Sequence, residues 1–415
     1  MAVRPGYVCP PGYKLTEVGV IPENWEVRLL PNVCRFRGGK AHEQHISELG
    51  RFVCVNSKFI STDGKVRKYS SQNFCCAKRD DIMMVMSDLP NGKALAKAFL
   101  ADQDNMYAVN QRVCALTPYR DSSKYLFYVL NRNSYFLRFD DGVNQTHLLN
   151  RVFQKCPLPL PPTKAEQEAI ARTLSDADAL IESLEELLTK KRQIKQGAMQ
   201  ELLTGKKRLP GFRGEWEVRR LADESDLITK GTTPTSLGRH FTEQGINFVK
   251  VESLTEGGTV IPEMLAAVDE ETHRLLKRSQ LRENDILFSI AGALGRTTIV
   301  NTDLLPANTN QALAIIRLKP SSRLHHGFLL KYLSSPQILT HINAINVQAA
   351  QANLSLEDIR NFEVPAPSVD EQTAIAVILS DMDAEIAALE VKLATTRQLK
   401  QGMMQELLTG RIRLV

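Results

Sequence analysis

The chain has 415 residues, 43% hydrophobic and 24% charged, which are ordinary globular values with room for two to four domains. No uninterrupted apolar run approaches the ~20 residues of a membrane span, and the opening MAVRPGYVCPPGYKL lacks the basic-then-apolar plan of a signal peptide, so a cytoplasmic location is expected. The net charge of +5 is uneven: 20 Lys+Arg face 14 Asp+Glu over residues 1–150, but 16 face 17 over residues 211–362. A basic first part suits a polyanionic partner, whereas the second would need a local patch.

From the N-terminus, the first region runs WEVRLL (25–30), a glycine motif RGGK (37–40), a β-like FVCV (52–55), DIMMVM (81–86), then Asn110-Gln111 before VCALTP (113–118) and an apolar helical stretch at 125–130. The seven cysteines, Cys9, Cys34, Cys54, Cys75, Cys76, Cys114 and Cys156, all lie here. Their odd number and the lack of C-x-x-C spacing predict reduced thiols rather than disulfides or a zinc site.

A long helix follows. Thr163-x-x-Glu166 reads as a capping box, and Leu-Leu-Thr-Gly205 as a helix end with glycine in the left-handed position. About 41 residues between the caps span roughly 60 Å. Ile170, Leu174, Ala177, Ile181, Leu184 and Leu188 step by 4 and 3 as in a coiled coil, and Lys191 and Lys195 then interrupt the seam. The interruption is either a solvated stretch, a register lock or a docking place for a partner. Gly197 inside the helix costs ~1 kcal/mol relative to alanine, which suggests close backbone approach by another helix or a partner.

The second half repeats this plan. WEVRRL (216–221), KGTTP (230–234), FVKV (248–251), DILFSI (285–290), Asn310-Gln311 before ALAIIRLKP (312–320) and an apolar stretch at 328–333 keep the order of the first region. The helix then returns almost unchanged. EQEAIARTLSDAD at 166–178 recurs as EQTAIAVILSDMD at 371–383, and RQIKQGAMQELLTG at 192–205 as RQLKQGMMQELLTG at 397–410, both at an offset of 371 − 166 = 205. Ser368-x-x-Glu371, the stripe from Ile375 to Leu393, Gly402 and Gly410 repeat the earlier features. Two such stripes can satisfy each other as an antiparallel coiled coil. Two similar scaffolds with divergent heads suggest two recognition surfaces on one chain.

Each head reads as an α/β domain whose variable loops carry binding residues. Lys and Arg suit phosphates, Arg suits guanine, and Asn or Gln suits adenine. The DNA-contact candidates in the first head are Arg35, Arg37, Lys40, Lys65, Arg67, Lys68, Lys93, Asn144 and Gln145. In the second they are Lys230, Thr232, Thr233, Arg239, His240, Arg296, Gln348, Gln351 and Asn353. The polar mid-helix residues Arg192, Gln193, Arg397 and Gln398 are candidates for partner docking. No phosphate loop, methyltransferase base pocket or convincing nuclease cluster stands out, and His240, His325 and His326 lack metal-ligand spacing. No catalytic or metal residue is therefore assigned.

The alternation of head and repeated helix, the twice-occurring EQ-x-x-I-x-x-x-L-S-D-x-D after a proline-rich entry, QELLTG before a basic tail, and the Gly-Arg-Thr stretch at 295–297 resemble the specificity subunits of type I restriction–modification systems, over essentially the whole chain. RGGK in the first head departs from the commoner Gly-Thr-Thr-Pro of the second. The resemblance implies an α+β chain with two target-recognition domains, 1–157 and 211–363, separated by two long antiparallel helices, 158–210 and 364–415, in a pseudo-two-fold, almost circular arrangement with neighbouring termini. It implies a non-catalytic reader of a bipartite duplex sequence, docked to two methyltransferase subunits and to restriction subunits. Those partners would hold S-adenosylmethionine, ATP and magnesium. Helices of this length lead to half-sites about one duplex turn, ~34–36 Å, apart. The alternatives are a coiled-coil protein adaptor and a methyltransferase fused to its own reader.

Overall fold

The computed structural model describes residues 9–89, 92–255, 257–346 and 353–414. The chain divides into two compact units, Met1–Ser183 with Leu393–Val415, and Leu184–Lys392. Each unit holds one head together with parts of both long helices.

In the first unit, the apolar runs form β1 (Cys34–Gly38), β2 (Phe52–Val55), β3 (Ile82–Val85), β4 (Ala98–Leu100), β5 (Tyr107–Val109) and β6 (Val113–Pro118). An antiparallel sheet has the order β4-β3-β6-β1. A second sheet pairs β5 parallel to β2. Side chains on a strand alternate between faces. Ile82 and Met84 accordingly join Cys114 and Leu116 in one core, while Met83 and Val85 join Val113 and Ala115 in another. A sheet covered on both faces explains why β3 reads as a continuous apolar run. Strands 26–29 and 157–160 pair antiparallel and tie the start of the head to its end. Helix α1 (Ser123–Leu130) begins at Ser122, whose hydroxyl accepts from the Tyr125 amide.

After α2 (Lys164–Leu202), the second unit repeats the scheme. β7 (Ser225–Lys230), β8 (Ile246–Val249), β9 (Ala266–Val268), β10 (Ile286–Ser289), β11 (Thr297–Ile299), β12 (Ala307–Thr309) and β13 (Leu313–Leu318) form sheets of order β7-β13-β10-β11 and β9-β8-β12, with β8 and β12 parallel. Strands 217–220 and 363–366 pair in the same way, and α3 (His326–Leu333) and α4 (Val369–Leu407) follow β13. The strand pairing shifts one of the expected equivalences. Val53 pairs with Tyr107 as Asn247 pairs with Ala307, so FVCV corresponds to 246–249 and not to 248–251.

Within each unit the two helix segments run antiparallel. In unit 1, Glu166 binds Arg413 and Asp178 binds Lys400. In unit 2, Glu371 binds Arg208 through two bonds of 2.7 Å and Asp383 binds Lys195. Each pair in one unit is the repeat-equivalent of a pair in the other. Lys191–Glu385 at 2.5 Å and Arg192–Glu390 at 2.6 Å add to unit 2. The polar interruption of the seam is thus a set of cross-helix ion pairs, with Lys195 and Lys400 mostly shielded from solvent. Polar seam positions of this kind fix register.

The signature residues now have physical roles. Thr163 and Ser368 accept from the amides of Glu166 and Glu371, as expected of caps. The carboxylates, however, serve the basic tails after each helix rather than the box. Gln167 accepts from the Ser122 amide and donates to Asp121, tying α1 to α2. Gln372 accepts from the His325 amide and donates to the Arg323 carbonyl, tying α3 to α4. Ile170 and Leu174 lie in the core of the first head, and Ile375 and Leu379 in that of the second, so the opening heptad positions anchor heads and only the later ones form a seam. Gly205 and Gly410, both at φ 71°, bring the chain against Trp216 and Trp25, where a Cβ would sit 3.2 and 3.1 Å from the rings. Tyr13 donates to the Gly410 and Arg411 carbonyls, so residues near the two ends of the chain meet in unit 1.

Candidate nucleic-acid interface

In each head the strand leaving the main sheet passes beneath the turn between the last two strands. Gly39 donates to the Val113 carbonyl and Gly231 to that of Leu313. A Cβ would lie 2.0 Å from the Asn110 oxygen or 2.1 Å from that of Thr309, so only glycine fits. The turn itself closes by Val113 to Asn110 and by Leu313 to Asn310. Gln111 and Gln311 project from these turns and are exposed. The Gln111 amide donates to Glu43 Oε1 at 3.1 Å, which also takes the Asn110 amide at 3.0 Å. These bonds, Asn110 first, hold the Glu43 carboxyl below its usual range. In the second head the Thr233 hydroxyl donates to Gln311 Oε1. Buried His42 braces the first site, with Nδ1 2.7 Å from the Lys40 carbonyl and Nε2 accepting from the Phe74 amide.

At the other end of the same strand pair, away from the turn, each head holds a fully buried aspartate. Asp81 accepts from the Lys78 amide, the Thr117 hydroxyl and the Arg37 guanidinium. Asp285 accepts from the Arg282 amide and from two Arg317 nitrogens at 2.7 and 2.6 Å. By sheet register, Arg37 corresponds to Thr229 and Thr117 to Arg317. Arginine and threonine have exchanged strands between the heads around the same carboxylate.

The expected contact residues fall into groups. Arg37 is turned inward to Asp81 and the Cys76 carbonyl, and its role here is to neutralise a buried charge. Arg296 donates to the Leu254 carbonyl, Arg239 pairs with Glu271, and Thr232 accepts from Arg278. Asn144 is bonded to Asp141 and Gln145 to Ser87, although both residues are exposed. Arg35, Lys40, Lys65, Lys68, Lys93 and Lys230 are exposed and, among the described residues, have no carboxylate within ion-pairing distance. Arg67 is exposed and donates to the Gly64 carbonyl. Asn353 is exposed and bridges to Ala291, while Gln348 and Gln351 lie outside the described residues. Sequence reading passed over Gln111, Gln311, Arg112 and Arg278, of which the repeated Asn-Gln pair was the available signal. A groove lined by Arg79, Arg120, Lys124, Lys164 and Arg172 also carries Asp80, Asp121, Glu168 and Asp176, so its charge nearly cancels.

On the helices, Arg192 pairs with Glu390, and Gln193, Arg397 and Gln398 are exposed. Among the described residues and apart from their own helix, Gly197 and Gly402 have nothing within 4 Å of a Cβ, so close helix-to-helix approach does not explain them. Ile194 and Leu399, at equivalent positions, are 47% and 63% exposed.

Among the described residues, no group of His, Cys, Asp and Glu could hold a metal ion. All seven cysteines are unpaired, and burial pushes the Cys34 and Cys156 thiols up to about 12. Among the described residues, no helix is long and apolar enough to cross a membrane.

Residues 22–196 and 213–396 each match the family described as the type I restriction modification DNA specificity domain. The chain belongs to that family. It is 28% identical over 340 residues to the EcoBI specificity subunit of Escherichia coli, covering 73% of this chain and 69% of that protein. It is 26% identical over 433 residues to the putative MjaX specificity subunit of Methanocaldococcus jannaschii, covering 97% of each. Among solved structures, the S subunit from M. genitalium superposes with a TM-score of 0.60 at 16% identity, covering 95% of this chain and 97% of that one. A chain from a study of complex assembly and conformational transition in the type I system gives 0.56 at 18%, covering 94% and 99%. The duplicated heads with their long helices are thus the fold of a DNA specificity subunit, and the two family matches fall one on each copy of the repeat.

Proposed function

We propose that this specificity subunit reads a bipartite duplex sequence, one half-site per head, and performs no chemistry itself. The observation that carries this reading is the repetition of one framework, Gly39/Gly231 packed under the Gln111/Gln311 turn at one end of the strands and Asp81/Asp285 buried at the other, with different residues around the turn. A common frame with divergent surface chemistry is what two different half-sites require. Two modification subunits would dock on the helices, methylate adenine N6 and supply S-adenosylmethionine. Restriction subunits would bring ATP and magnesium, and the assembly would work in the cytoplasm.

The docking surfaces proposed are the equivalent strips Ile194/Gly197 and Leu399/Gly402, flanked by Gln193 and by Arg397 and Gln398. A bare glycine beside an exposed branched side chain accepts a close-packed apolar neighbour.

The test is duplex binding by the subunit assembled with its methyltransferase partners, measured against salt. Each phosphate contact contributes about −0.9 to the slope of log affinity against log salt. Replacing Lys65, Arg67 and Lys68 together by alanine should flatten the slope by about 2.7 if all three touch phosphate. An unchanged slope removes that loop from the footprint, and a wild-type assembly without duplex affinity removes the whole reading.

A further inference from the structure

The exposed amides of Gln111 and Gln311 occupy the same place in two heads whose neighbouring loop residues differ, and that place is braced from two sides. Each sits on a closed turn pinned from below by a glycine contact that admits no side chain. Each is also tied sideways by a residue from the neighbouring loop, Glu43 in one head and Thr233 in the other. A solvated glutamine has no need of such support, because ordering its side chain costs about 1.5–2 kcal/mol of rotamer entropy. Pre-ordering is useful where a partner must be met with a fixed hydrogen-bonding pattern.

Counting donors and acceptors specifies that pattern. A glutamine amide has two N–H donors and a carbonyl with two lone pairs. A carboxylate accepts only, so Glu43 consumes one N–H of Gln111 and, among the described residues, leaves the other N–H and the carbonyl uncommitted. The Thr233 hydroxyl consumes one lone pair of Gln311 and leaves the other beside both N–H groups. In both heads the same planar amide keeps at least one N–H donor and one carbonyl lone pair. That arrangement is complementary to adenine, whose major-groove edge offers the N6 donor and the N7 acceptor. Cations flank both turns. Lys40 and Arg112 are exposed beside Gln111, and Lys230 and Arg278 beside Gln311, with Arg278 bonded to Thr232 at 2.9 Å.

We infer that Gln111 and Gln311 are specificity-determining residues, each reading one adenine edge in the half-site met by its head, with Glu43 and Thr233 as positioning residues. This inference rests on the proposed DNA-reading function and adds where in each head the sequence is read.

The test uses the full chain assembled with its methyltransferase partners, and duplexes selected from a random-sequence pool. Gln111→Ala should relax the preference for adenine at one position of one half-site by roughly 5- to 150-fold. Gln311→Ala should do the same at one position of the other half-site. Neither variant should alter the salt slope. If an alanine variant melts early, Gln→Met at the same position keeps length and packing while removing the amide, and gives the same readout. Glu43→Gln retains an acceptor for the Gln111 amide and should preserve the preference, whereas Glu43→Ala should weaken it. Variants that select the wild-type sequence, or that lose preference across both half-sites, overturn the inference while leaving the broader reading intact. A wild-type assembly that selects no sequence overturns the broader reading itself.

Discussion

Replacing Arg317 with alanine is expected to destabilise the second head by about 3–5 kcal/mol, because it leaves a carboxylate buried without its counter-charge. Asp285 is 0% exposed, and among the described residues the one side-chain bond that would remain to its carboxylate is from the Arg282 amide. Hydrogen exchange of the β10 and β13 amides measures the effect in that head alone, which matters because a chain of two units need not unfold in one step. The other head suggests the rescue. There the arginine stands on the neighbouring strand and threonine takes the place of Arg317. Arg317→Thr combined with Thr229→Arg should therefore recover most of the lost protection. If the double variant exchanges as fast as Arg317→Ala, the strand exchange between the heads is not compensatory.

The same pair of arginines shows what sequence could and could not reveal. Arg37 was expected to contact DNA because it lies in a polar, glycine-bearing motif. Its commitment to Asp81 depends on β1 pairing two strands away from β3, a long-range register that no local pattern encodes. The long helices, by contrast, were legible in detail. Caps, heptad steps and the repeat offset are local features, and the cross-helix pairs of Asp178 and Asp383 follow once antiparallel register is set. The opening heptad positions were misread because a head core and a coiled-coil partner make the same demand on Ile170 and Leu174. The Asn-Gln repeat was visible in both heads, yet its meaning required the glycine contact beneath it and the loop carrying Glu43 beside it.

On the proposed docking of two modification subunits, Ile194→Arg is expected to remove one and Leu399→Arg the other, with the double variant binding neither. Each places a charge where an apolar surface would close over it, at a cost of about 3–5 kcal/mol, or more than a hundredfold in affinity. Both side chains are already exposed, so folding should be unaffected. Native mass spectrometry reads the outcome as two, one or no partners per chain. Two partners bound to the double variant would place docking elsewhere on the subunit.

The central claim, that one chain carries two independent readers on one scaffold, is tested most directly by exchanging residues 211–362 for the corresponding head of another family member and sequencing N6-methyladenine in the host genome at single-molecule resolution. The account predicts a methylated sequence in which one half-site is new and the other is that of the parent. A sequence altered in both halves, or in neither, would contradict it.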